Sequence, residues 1–129
     1  MYRIQLIHHV VETDNSISAE ALLTAPLTAR GLAKVCRRYQ DETAYIRRVF
    51  GPGTIRPKHS LQGIIVRQDG SAVTHKEPVF DGDRNVVDEY DAPIDIFHPH
   101  LPVVNEDRSW TENATELLKY VRQCDEALV

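Results

Sequence analysis

TARGLAKVCRRYQDETAYIRRVFGPG, residues 28–53, decides the fold class, because it reads as one long amphipathic helix that needs a second layer to cover it. Thr28 has the side chain that satisfies free amides at a helix N-terminus. Leu32, Val35, Cys36, Tyr39, Thr43, Ile46, Val49 and Phe50 then recur at helical spacing. The helix is expected to run to about Phe50. Gly51-Pro52-Gly53 would end it, since glycine accepts the left-handed C-terminal conformation and proline cannot continue the ladder.

Upstream, Tyr2 to Val11 reads as a strand. Tyr2, Ile4, Leu6 and Val10 share one face, while Ile7 and Val11 make the other apolar toward its end, which suits a central place in a sheet. The polar break Glu12 to Ser16 follows. Ser16 is then read as the cap of a short helix from about Ile17 to Thr24, ended by Pro26.

Downstream, Gln62 to Gln68 and Ala72 to Val79 form two strand-like runs joined by Asp69-Gly70, a pair that favours a tight hairpin turn. Short strands are expected at Asn85 to Tyr90 and Ile94 to His98 within an acidic, proline-interrupted stretch. Ser109 with Glu112 has the spacing of a capping box. Trp110, Ala114, Leu117, Leu118, Val121, Cys124 and Leu128 then line one helical face. The order predicts an α+β fold: a two-layer sandwich with helices packed on one face of a mainly antiparallel sheet.

At 129 residues, with 42% hydrophobic and 26% charged content, the chain is expected to form a single globular domain spanning residues 1–129. A chain of this size removes roughly two-thirds of its unfolded surface from water, so its core requires no disulfide or metal staple. No cofactor is implied. The opening residues lack the basic region, long apolar run and cleavage site of a signal peptide, and no apolar run approaches the roughly 20 residues of a membrane span. A soluble cytoplasmic protein that does not engage membrane is expected. Cys36 and Cys124 fall on apolar helical stripes and read as reduced core thiols.

Charge is segregated. Arg30, Lys34, Arg37, Arg38, Arg47, Arg48, Arg56 and Lys58 face only Asp41 and Glu42 across residues 28–59, a balance of +6. Across residues 69–95, Asp69, Glu77, Asp81, Asp83, Asp88, Glu89, Asp91 and Asp95 face Lys76 and Arg84, a balance of −6. Opposite patches steer and orient protein association, so Lys34, Arg37, Arg38 and Arg48 are the first candidates for a binding surface. The same asymmetry allows head-to-tail self-association. Nucleic-acid binding along this basic face ranks lower, since the chain is acidic overall (net −4) and carries no nucleic-acid motif.

Six histidines invite an enzymatic reading. His8 and His9 point to opposite faces of a strand, so they do not share a metal. Either is a candidate for acid–base work with His75 on a neighbouring strand. His98 and His100 flank Pro99 and project to one side. They could begin a metal site, completed by Asp95, His75, His59 or another acidic residue. Asp81, Asp83 and Asn85 place oxygens at alternate positions as in a calcium loop, but Val86 and Ala92 stand where that pattern wants glycine and glutamate, so a tight acidic turn is the better reading. No serine-nucleophile elbow, phosphate loop, Cys-x-x-Cys pair or dinucleotide fingerprint is present. The leading expectation is therefore a noncatalytic protein-binding or regulatory module. A small metal- or histidine-dependent hydrolase acting on a phosphoester stands second.

Overall fold

The computed structural model describes residues 1–51, 58–98, 105 and 107–126. The elements run β1 (Arg3–Val11), β2 (Ile17–Pro26), α1 (Ala29–Val49), β3 (Lys58–Val66), β4 (Thr74–Phe80), β5 (Val86–Pro93) and α2 (Trp110–Glu126). A mixed α+β fold results, with antiparallel sheets ordered β2-β1-β3 and β4-β5. β1 is the middle strand of the first sheet, as its two apolar faces required.

Residues 17–24 are not a helix. They belong to β2, which pairs with β1 from Val11↔Ile17 to Arg3↔Pro26, with a bulge after Leu6. The reason lies in the preceding turn. Asn15 takes φ 66°, the Glu12 amide donates to the Ser16 carbonyl at 2.8 Å, and the Ser16 hydroxyl turns back to the Asp14 carboxylate at 2.7 Å. The turn delivers the next residues alongside β1, where backbone pairing outweighs the helix preference of Ala, Leu and Glu.

Thr28 caps α1 by accepting from the Gly31 amide at 3.0 Å. Gly31, Leu32, Val35 and Cys36 are buried, whereas Val49 is exposed, so the first half of α1 carries the packing. A Cβ on Gly31 would lie 1.9 Å from the Pro26 carbonyl oxygen, so only glycine lets the helix start so close to the end of β2. The far end of α1 differs from expectation: Phe50 is the C-cap, its amide bonding to the Ile46 carbonyl, and Gly51 is not left-handed. Pro52 and Gly53 lie outside the described residues.

Ile4 and Leu6 of β1, Leu32 and Val35 of α1, Ile65 of β3, Leu117 and Val121 of α2, and Val73 and Ile94 between the sheets are fully buried in one core. Ser109 caps α2 as its spacing foretold: its hydroxyl accepts from the Glu112 amide and donates to the Glu112 carboxylate, both at 3.1 Å. Trp110 departs from the expected apolar face and is exposed, and Leu128 lies outside the described residues.

The turn at Asp69-Gly70 forms, with Gly70 at φ 90°, but the hairpin it closes is short. After the Val66↔Ala72 bridge and the Val73 amide bond to Ile65, the chain leaves β3 as β4, pairs with β5 instead, and returns at Ile94. The expected strand at 94–98 reduces to an Ile64↔Asp95 bridge beside β3, with the Ile96 amide donating to Gly63. Residues 74–93 are thus a two-stranded arm rooted at the edge of the main sheet.

Candidate functional site

The arm carries six carboxylates and two cations. Its apolar side chains Phe80, Val86, Val87 and Tyr90 are about half exposed. Alternation along β4 places His75 and Glu77 on one face, and the β4–β5 register sets Tyr90 opposite Glu77. There the Tyr90 hydroxyl donates to Glu77 Oε2 at 2.8 Å, while His75 Nε2 lies 3.0 Å from Glu77 Oε1. On the other side of the imidazole, Nδ1 meets the Tyr120 hydroxyl of α2 at 2.6 Å. The His75 side chain is only 7% exposed.

Electrostatics follow from this chain of contacts. Glu77 is held below the usual carboxylate range, mainly by the Tyr90 hydroxyl. Burial opposes the shift, and the His75 bond and the nearby His98 and His75 imidazoles reinforce it. Burial pushes the Tyr120 phenol up to about 12, so it is protonated at neutral pH. An ionised Glu77 only accepts, so His75 Nε2 is the nitrogen that donates to it, and in the neutral imidazole Nδ1 then accepts from the Tyr120 hydroxyl. Lys76, on the opposite face of β4, pairs with Asp91 at 2.8 Å.

These residues border a cavity of about 450 Å³ to which Pro78, Phe80 and His98 also contribute. His75, Lys76 and Tyr120 are shared with a second hollow of about 390 Å³ beside Cys124. The first is large enough for an amino-acid side chain or a small ligand, and it combines aromatic walls with one carboxylate.

The sequence candidates separate into groups. His75, an acid–base candidate and one of the residues offered to complete a metal site begun by His98 and His100, lines the same cavity as His98. His75 is not beside His8 or His9, because β4 pairs with β5 and not with β1. His8 Nε2 lies 2.9 Å from His59 Nδ1, and His59 also stacks on Phe50 with ring centroids 4.1 Å apart. His59 is held below the ordinary imidazole range by burial and by His8. His9 bonds to Gln62 on the other face.

His100 lies outside the described residues. Asp81, Asp83 and Asn85 form the β4–β5 turn, in which the Asp81 carboxylate accepts the Asp83 and Asn85 amides at 2.8 and 2.9 Å. That use makes it a turn former. Among the described residues, no group of three or more His, Cys, Asp or Glu side chains is arranged to hold a metal.

Lys34, Arg37 and Arg48 are exposed on α1. Arg38 pairs with Glu42 at 2.8 Å, and Arg48 lies over the Tyr45 ring. Both cysteines are free thiols. Among the described residues, no helix is long and apolar enough to cross a membrane.

Glu77, Tyr90 and Tyr120 were not singled out as site residues from sequence. The usable signal was the alternation of His75 and Glu77, combined with a turn at Asp81 to Asn85 that sets residue 77 across from residue 90.

Compared with known proteins, the chain matches no family model, no curated sequence and no solved structure.

Proposed function

We propose that the protein is a noncatalytic protein-recognition module whose acidic β4–β5 arm is the contact surface for a basic segment of a partner protein. The observation that carries this reading is the exposure of Phe80, Val86, Val87 and Tyr90 on a two-stranded sheet that also bears six carboxylates. Two strands alone are marginally stable in water, and apolar side chains ringed by charge are the composition of an interface rather than of a solvated loop. Complementary charge selects a basic occupant and orients it. The basic α1 stripe of Lys34, Arg37, Arg38 and Arg48 offers a second surface of opposite sign.

The test is binding of an arginine- and leucine-containing peptide to the immobilised protein. Asp88→Lys with Glu89→Lys, and separately Phe80→Ser with Val87→Ser, are each expected to weaken binding at least about tenfold while the far-ultraviolet spectrum is kept. Undiminished binding by both variants would overturn the reading. Reversal of Arg37, Arg38 and Arg48 to glutamate reports on the second surface. Loss of concentration-dependent assembly in sedimentation would identify the occupant as a second copy of this chain.

A second reading, histidine-dependent hydrolysis of a phosphoester, is favoured by one observation: His75, His98 and Glu77 meet at one cavity. It ranks below the first because both His75 nitrogens are engaged and an ionised Glu77 repels an anionic substrate. Turnover of bis-p-nitrophenyl phosphate that is lost in His98→Ala would reverse the ranking.

A further inference from the structure

We infer that the cavity at the root of the arm is a guanidinium site, which takes an arginine side chain of the basic partner segment with Glu77 as its counter-charge. This rests on the protein-recognition reading and names the residue type that the arm selects.

Three observations lead there. First, Glu77 is fixed before any ligand arrives: Tyr90 holds one oxygen and His75 the other, so the carboxylate does not need to be ordered on binding. A carboxylate has about four acceptor positions, and these two bonds leave one on each oxygen, which suits the paired N–H groups of a guanidinium. Second, Phe80, Tyr90 and Tyr120 are among the lining residues, and aromatic rings attract a cation and stack on a planar one. Third, Lys76, which also borders the cavity, is already paired with Asp91, while Asp88 and Glu89 extend the negative field along the arm.

An ammonium ion would satisfy the charge alone. The planar, weakly hydrated guanidinium also satisfies the paired acceptors and the rings, so arginine is favoured over lysine.

The experiment is two-dimensional NMR titration of the full chain with N-acetyl-L-arginine N-methylamide, using the citrulline analogue as a neutral control of equal shape. The arginine compound is expected to move resonances of Phe80, Tyr90 and Tyr120 saturably, with the citrulline compound at least about tenfold weaker. Glu77→Gln is expected to weaken the arginine compound by a similar factor. Should that variant disturb the arm, Phe80→Ala, which removes a half-exposed wall without touching the hydrogen-bonded chain, is expected to weaken it severalfold.

Equal response to citrulline, shifts confined to α1, or unchanged affinity in both variants would overturn the inference. Undiminished binding of the basic peptide by Glu77→Gln would overturn the guanidinium site while leaving the arm as the contact surface. Arginine bound in the cavity, together with a peptide indifferent to Asp88, Glu89, Phe80 and Val87, would do the opposite.

Discussion

The Tyr120 hydroxyl and His75 Nδ1, 45 residues apart in sequence, lie 2.6 Å from each other and tie the arm to α2. Their rings meet edge to face at 5.9 Å, so the contact is both a hydrogen bond and a packing interaction. Tyr120→Phe keeps the ring and leaves a nearly buried imidazole nitrogen without its partner. The expected cost is about 1–2 kcal/mol. Amide exchange is expected to quicken in residues 74–93 more than in β1 or β3, and uniform quickening would show that the bond does not hold the arm specifically.

Gly31 tests the junction of β2 and α1. An alanine methyl there would have to displace backbone, since the Pro26 carbonyl oxygen lies 1.9 Å from the ideal Cβ position. Gly31→Ala should therefore destabilise by about 2–3 kcal/mol, even though alanine favours helix, because overpacking against main chain cannot relax by a rotamer change. Denaturant unfolding measures it, and a gain in stability would refute the close approach.

Acid sensitivity should be traceable to Asp125. Its carboxylate accepts the Tyr2 hydroxyl at 2.6 Å and the Arg67 guanidinium at 2.6 and 2.9 Å, and the Tyr2 bond, then Arg67, hold it below the usual carboxylate range. A group with a depressed folded-state pKa stabilises above its unfolded value near 3.8, and that stability disappears as pH falls through the folded value. Asp125→Asn is expected to cost about 1 kcal/mol at pH 7, limited by solvent screening, and to flatten the loss of stability below pH 4. Parallel wild-type and variant curves from pH 7 to 2 would contradict it.

Cys36 should be nearly inert in the folded protein. Burial raises its thiol to about 11, so little thiolate exists at pH 8, and the residue is buried. Maleimide labelling at this position is expected to follow the rate of opening and to accelerate sharply at the urea midpoint. Immediate labelling under native conditions would mean that α1 is not packed as described.

The parts of the fold legible in the sequence are those with local causes. Thr28, Ser109 and Glu112 announce helix starts through contacts made within three residues, and β1 carries its central position in the alternation of its own side chains. β2 escaped because its evidence is not local. Alanine, leucine and glutamate in residues 19–23 favour a helix, and only pairing with β1 makes them a strand. Asp69-Gly70 was a true turn whose consequence was overestimated, since a turn residue cannot say how far the pairing beyond it continues. Of the site, His75 and His98 stood out by residue type. Glu77, Tyr90 and Tyr120 acquire meaning only through partners 13 and 45 residues away. The charge segregation was visible at once, but not that the acidic half would stand out as an arm.

The way the arm joins the sheet has an engineering consequence. The Ile94 amide donates to the Val73 carbonyl at 3.0 Å, and both residues bond directly to Ile65 of β3. The two ends of residues 74–93 therefore meet at a spacing that a tight turn can close, and both anchoring side chains are sealed in the core. Such a segment is built like a cassette: exchange for another hairpin that keeps the His75–Tyr120 tie is expected to leave the register of the main sheet unaltered. The main sheet would keep its shape while the exposed surface of the arm was replaced.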